Sequence, residues 1–394
     1  MLLSPGPPHG KRDAAIGILI TDDGGGLWGA QQHLLRVAPY YEAAGFVPTL
    51  AAPHDSELGQ AWSDTGRVLI GLEKVPSLPG GAGARQATQV ALHGARVLRR
   101  ARVVARDAQR LGVALLVANS TWTHLDVAVA GRMARLPSVL MIHEEIPKVR
   151  LRKLAVQGAT RSIAVSRSVA EDVGPRAQKR IAVIRNGVDT AAFTPGPPSR
   201  DIRMELAADP SASIVGYVGR LDPMKQVEHV VRAVGELNRR AEAPVQLAIV
   251  GATSADPAYE QELRALADRE LGDNVRFLGR RTDIIAVLRS LDAMAITGRW
   301  EGLSLSLLEA LAAGCPVVAY PAAGVTEVIE DGLSGLVAPM GDWRSLGMLL
   351  GRVVGNPDLS DGLRSAGRSR VETSFSLTSQ AAKTVELLRN AVNA

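Results

Sequence analysis

A chain of 394 residues has room for two domains of ordinary size. With 46% hydrophobic and 22% charged residues it has the balance of a folded globular protein, which excludes a disordered or fibrous one. The single cysteine, Cys315, excludes an intrachain disulfide and a cysteine-rich zinc centre. The net charge of +5 hides an asymmetry: residues 1–200 carry 25 basic against 15 acidic side chains, residues 201–394 only 20 against 25. A basic first half favours something anionic, whether nucleic acid, a membrane surface or an acidic substrate. No apolar run approaches the roughly 20 residues that span a bilayer. Residues 1–10, rich in Pro and Gly, lack the apolar core of a signal peptide, so the expectation is a cytoplasmic chain with a short irregular lead-in.

Short apolar runs alternate with longer amphipathic stretches. Residues 15–21 read as a strand ended by Asp22-Asp23-Gly24-Gly25-Gly26. A helix follows with Leu34, Leu35, Val37, Ala38 and Tyr41 at helical spacing, Gly45 stops it, and residues 47–52 form the next strand. Apolar runs at 114–118, 139–142, 162–165 and 181–184 suit parallel strands buried on both faces. The rhythm pauses at the Pro- and Gly-rich residues 193–199, the expected linker, and restarts at 214–219, 246–251, 275–279, 293–297 and 316–320. Residues 379–392 read as a terminal helix. The expected class is α/β: two doubly wound, Rossmann-like domains facing each other across a cleft. The first would cover residues 1–196 and the second 197–375, with 376–394 returning to pack on the first.

Residues 90–111 form the strongest helical pattern of the first half. Val97, Leu98, Ala101, Val104, Ala105, Ala108 and Leu111 share one face, and Arg96, Arg99, Arg100, Arg102, Arg106 and Arg110 are assigned to the other. Such a face is either simply solvated or attached to anionic lipid headgroups, where each cation contributes about 1 kcal/mol. Nucleic acid is disfavoured, because no aromatic residues interleave to stack on bases.

In the second half, the strand at 214–219 runs into Gly219-Arg220-Leu221-Asp222-Pro223-Met224-Lys225. Arg220 and Lys225 therefore sit at a strand's carboxyl end, where two cations suit a diphosphate. After the strand at 293–297 comes Glu301-Gly302-Leu303-Ser304-Leu305, leading into a helix that carries Glu309. Gly302 lets backbone amides approach a ligand, and the helix start favours phosphate. Glu301 and Glu309 suit sugar and ribose hydroxyls, although Ser306-x-x-Glu309 also fits a capping box. Gly324-x-x-Glu327 and Asp331-Gly332 mark a further turn.

Taken in order, Gly219-Arg220-Leu221 with Lys225, Glu301-x7-Glu309, Gly314-Cys315-Pro316, Gly324-x-x-Glu327 and Asp331-Gly332-x-x-Gly335 resemble the donor half of the retaining glycosyltransferases of family 4, with the GT-B fold. Asn186-Gly187-Val188-Asp189 resembles the hinge signature of that family, and Gly29-Ala30-Gln31 its entry to the first helix. The resemblance covers nearly the whole chain and is strongest over 180–340. It implies a UDP-, GDP- or other nucleotide-sugar donor, a hydroxyl acceptor that is a saccharide, lipid-linked or a small molecule, no nucleic acid, and no metal or other cofactor. Arg220 and Lys225 would hold the diphosphate, Glu309 the ribose, and Glu301 with Gly302, Leu303, Ser304 and Leu305 the donor sugar. His143, ending a first-domain strand, would reach the reacting sugar, unless it is an ordinary strand-end histidine. Gly25, Gly26 and Gly29 would lie over the donor phosphates.

Three departures stand out: Trp28 replaces a glycine, Thr297-Gly298 replaces Pro-Ser, and Leu303-Ser304 replaces Phe-Gly. The expected activity is sugar transfer in cell-envelope polysaccharide or glycolipid synthesis, at the inner face of the membrane. Alternatives are a natural-product glycosyltransferase, a nucleotide-sugar epimerase of the same architecture, or a non-catalytic nucleotide-sugar-binding scaffold.

Overall fold

The computed structural model describes residues 15–24, 26–75, 84–144, 150–174, 178–207, 209, 212–240, 245–253 and 256–394. Of the expected donor contacts, Gly25 lies outside them. Seven strands, β1 (Ile16–Thr21), β2 (Phe46–Ala52), β3 (Leu69–Gly71), β4 (Leu115–Ala118), β5 (Ser138–Ile142), β6 (Arg161–Ala164) and β7 (Ile181–Val183), form one sheet in the order β3-β2-β1-β4-β5-β6-β7. Six more, β8 (Ile214–Val218), β9 (Gln246–Val250), β10 (Val275–Phe277), β11 (Ala293–Ile296), β12 (Val317–Ala319) and β13 (Leu336–Val337), form a second in the order β10-β9-β8-β11-β12-β13. Pairing is parallel, as in β1 beside β2 (Ile18 opposite Pro48) and β1 beside β4 (Ile18 opposite Leu115).

Consecutive residues of a strand point to opposite faces, so burial of neighbours shows that both faces are covered. Ile18, Leu19 and Ile20 of β1 are all fully buried, and so are Leu247, Ala248 and Ile249 of β9. β3 and β13, at sheet edges, are only three and two residues long and carry no apolar run that periodicity could register. The chain divides into two compact units, one of residues 1–141, 150–162 and 384–394, the other of 142–149 and 163–383. In the second unit, the helices Val227–Asn238 and Trp343–Val354 supply Val230, Val231, Val234, Leu346 and Leu350 to one core. Among the described residues no helix is long and apolar enough to cross a membrane.

Two expectations for the basic helix are corrected: Arg100 is not on its solvent face, and Leu98 and Leu111, assigned to the apolar face, lie on the flanks of the stripe and are exposed. The basic helix runs from Ala84 to Leu111, and its inward stripe is Val97, Arg100, Ala101, Val104, Ala105 and Ala108. Arg96, Arg99, Arg102, Arg106 and Arg110 face water, but Arg100 is buried between two carboxylates. It lies about 60° from Val97 around the helix, on the flank of the apolar stripe, where partners from elsewhere in the chain can draw it inward.

Candidate active site

The loops that follow β8 and β11 are joined to each other. Backbone pairing with β9 continues past the strand end, through Gly219 N–H to Val250 O (2.9 Å) and Leu221 N–H to Ala252 O (3.0 Å). A Cβ on Gly251, which sits at φ +145°, would lie 1.7 Å from Gly219 O, so only glycine allows this approach. The buried Tyr217 hydroxyl donates to Arg220 O (2.6 Å), and Asp222 caps the 3₁₀ turn Pro223–Lys225 through Met224 N–H (2.9 Å). From the other loop, Thr297 Oγ1 donates to Lys225 O (2.7 Å), while Arg299 N–H donates to Met224 O (2.9 Å). Lys225 Nζ then reaches Glu301 Oε1 at 2.6 Å, with the two side chains only 18% and 10% exposed. Thr297-Gly298, a departure from the family pattern, has a local reason: Thr297 ties down the Lys225 backbone, and a Cβ on Gly298 would meet Glu301 Oε1 at 2.5 Å.

Glu309 lies in the second turn of the helix Leu305–Ala312 and is buried. The cap of that helix is Ser304, whose Oγ accepts from Leu307 N–H at 3.4 Å; Ser306 lies inside the helix, so the capping box with Glu309 does not form. Gly302 is packed backbone to backbone: a Cβ there would meet His143 O at 1.9 Å, and one on Gly324 would meet Gly302 O at 2.2 Å. Gly324 N–H also donates to Glu301 O (3.1 Å). His143, the buried Leu303 and the Gly324 turn thus converge on the Glu301 loop, to which Asn186 Nδ2 adds a bond to Leu303 O (3.0 Å). Glu327 accepts from Arg167 N–H (2.6 Å) and Arg185 Nε (2.8 Å), which makes it a tie between loops.

In the first unit, Gly26 is buried after β1 and Gly29 begins the helix Gly29–Ala43. Sequence reasoning missed the polar node beside them. Asp22 accepts from Gly24 N–H (2.7 Å), Asn119 Nδ2 (2.7 Å) and Gln31 Nε2 (3.2 Å). Burial pushes its carboxyl up to about 6 despite those bonds. Arg100 donates from Nη1 to Asp23 (2.7 Å), from Nε to Asp126 (2.6 Å) and from Nη2 to Trp122 O (2.7 Å). One guanidinium serves two buried carboxylates, and burial pushes Asp126 up to about 7. The only prior signal was the Asp22-Asp23 pair itself. Among the described residues no group of three or more His, Cys, Asp and Glu could hold a metal ion.

Two doubly wound parallel sheets define the GT-B fold class. Solved structures share the fold: Anabaena Alr3699/HepE, in complex with UDP and glucose, superposes with a TM-score of 0.79 at 24% identity, over 94% of this chain and 99% of that one. The family described as "Glycosyl transferases group 1" matches residues 199–370, and "Glycosyltransferase Family 4" matches residues 28–192. The D-inositol 3-phosphate glycosyltransferase of Mycobacterium sp. (strain JLS) is 36% identical over 172 residues, 42% of this chain and 38% of that one. Its counterpart in Actinosynnema mirum is 31% identical over 265 residues, 63% and 62% of the two chains. In each the match spans less than two thirds of the relative's length. The two family models together account for residues 28–192 and 199–370, so the chain belongs to the glycosyltransferases that carry both a Family 4 and a group 1 region.

Proposed function

We propose that this protein transfers a sugar from a nucleoside diphosphate to a hydroxyl acceptor, with retention at the anomeric carbon. The observation that carries this reading is the Lys225–Glu301 pair, held on two interlocked loops that also bear Arg220 and lead to Glu309. Arg220 and Lys225 supply positive charge for the diphosphate and for the charge that grows on the leaving phosphate, without a resident metal. Glu301 then turns from the ammonium to the donor sugar's hydroxyls, and Glu309 takes the ribose. The bond from the anomeric carbon to the phosphate oxygen breaks, the acceptor oxygen bonds to the same face, and the leaving phosphate takes the acceptor's proton. Support comes from the UDP and glucose bound to Alr3699/HepE and from relatives that act on an inositol phosphate.

A role in envelope polysaccharide or glycolipid synthesis at an anionic membrane surface is part of the same proposal. Arg96, Arg99, Arg102, Arg106 and Arg110 all face water, beside the exposed Leu92 and Leu98. The pair of Arg99 with Glu73 (3.5 Å) is exposed and weak, and the exposed Arg110 meets the part-buried Asp107 only at 3.6 Å, so lipid phosphates can replace these contacts. Turnover of UDP-glucose and other nucleotide sugars by the wild type, Lys225→Ala and Glu309→Ala tests the core of the reading. Unchanged turnover in both variants would overturn it.

A further inference from the structure

We propose that Tyr217 and Tyr259 are positioning residues, whose hydroxyls hold the two ends of the loop after β8 so that Arg220 and Lys225 stand at the spacing of two linked phosphates. The proposal rests on the transferase reading and names what fixes its diphosphate site. Arg220 and Lys225 share one loop, which leaves β8 at Gly219 and ends where the helix Val227–Asn238 begins. A monophosphate needs one cation and follows it wherever it moves. A diphosphate held by both needs their separation fixed beforehand, or part of the binding free energy goes into ordering the loop.

At the first end, Tyr217 belongs to β8 and its ring is buried in the core of the second unit. Its hydroxyl donates to Arg220 O at 2.6 Å, so the backbone of the first cation is fastened from the core side. A Cβ on Gly219 would stand 3.0 Å from that oxygen, and glycine keeps the approach open. At the second end the backbone is strained. Gln226, next to Lys225, has φ +49° and ψ +45°, the left-handed region that a residue with a Cβ enters at a cost. Its side chain does not cap the helix that it opens. The bond comes instead from another helix, Pro257–Leu271, which packs on the same core. There the Tyr259 hydroxyl accepts from Val227 N–H at 3.1 Å and donates to Glu228 Oε2 at 2.5 Å. The N–H so held is the first of its helix, one of four with no partner inside the helix. Asp256 fixes Tyr259 in turn, by accepting Tyr259 N–H at 3.2 Å. Burial pushes both phenols above their ordinary pKa, so each keeps the proton that it donates. Both tyrosines thus act on the backbone that carries or adjoins the cations.

The test is calorimetric titration of the full chain with UDP and with UMP, which differ in the second phosphate. The wild type is expected to bind UDP about tenfold tighter. Tyr217→Phe and Tyr259→Phe should each weaken UDP about fivefold, the worth of one hydrogen bond, and leave UMP unchanged. A general loss of packing would weaken both nucleotides alike. Gln226→Gly removes the cost of the left-handed residue, so in that background Tyr259→Phe should weaken UDP only about twofold, while Tyr217→Phe keeps its full effect. A wild-type ratio of UDP to UMP affinity in either phenylalanine variant overturns the positioning role and leaves the transferase reading intact. So does a parallel weakening of UDP and UMP, or an equal effect of Tyr259→Phe with and without Gln226→Gly. Absence of a diphosphate preference in the wild type, with GDP against GMP as well as UDP against UMP, overturns the diphosphate site and the positioning role with it.

Discussion

Replacing Arg100 with methionine removes the cation that pairs with Asp23 and Asp126, each about 2% exposed. Breaking a buried ion pair from one side costs about 3–5 kcal/mol, because the charge left behind has neither water nor partner. The carbonyls of Glu73 and Trp122 lose a donor as well, at about 1 kcal/mol each where they stay dry. At pH 8 the expected loss is therefore about 5–7 kcal/mol, read by urea denaturation, or roughly 15 °C in Tm. The loss should depend on pH. Asp126 has its folded pKa raised from 3.8 to about 7, so at pH 5 the folded chain holds it mostly neutral and less charge is stranded. The deficit should then shrink by about 1 kcal/mol or more. Arg100→Met combined with Asp126→Asn should cost less than Arg100→Met alone, because the two sites share one interaction. A deficit under about 1 kcal/mol at pH 8, or one that stays constant down to pH 5, would refute the account of the node.

Other outcomes follow from the same geometry. Wild-type stability should fall as pH rises from about 4 to 7, since Asp22 titrates near 6 in the folded chain against 3.8 unfolded and the folded state binds the extra proton; in Asp22→Asn the slope should flatten, and an unchanged slope would remove Asp22 from the cause. Gly302→Ala forces a methyl to 1.9 Å from His143 O, so it should cost about 3 kcal/mol or displace the Glu301 loop and abolish donor turnover, read by calorimetry and kinetics. Lys225→Ala should lower kcat by about 10²–10³-fold with the fold intact, whereas Glu327→Gln, whose carboxylate ties Arg167 and Arg185, should chiefly lower Tm. Reversing Arg96, Arg102 and Arg106 to Glu should reduce sedimentation with phosphatidylglycerol vesicles at low salt; unchanged sedimentation would end the membrane reading of that helix.

Much of the fold was legible because a parallel strand buried on both faces must be apolar at every position, and short runs such as residues 15–21 and 246–251 announce that directly. The donor-side motifs were legible for a related reason. Glycines whose Cβ would strike a neighbouring backbone, and cations at the ends of strands, keep their spacing along the chain. β3 and β13 escaped because two or three edge residues carry no period. The capping box stayed open in the sequence because Ser304 and Ser306 are both able to cap, and only the helix start decides which one does.

Length and the alternation of apolar runs with amphipathic stretches determined two α/β domains, charge a basic first half, and the order of motifs the family. The tertiary structure decided where individual charges go. Around the basic helix, periodicity grouped six arginines together, yet Arg100 turns inward because Asp23 and Asp126, 77 and 26 residues away along the chain, meet at its position. The same holds for Lys225 and Glu301, which come within 2.6 Å across 76 residues of sequence. Local periodicity follows from backbone geometry and can be read along the chain. The pairing of a buried charge is set by which distant segments the packed sheets bring to it.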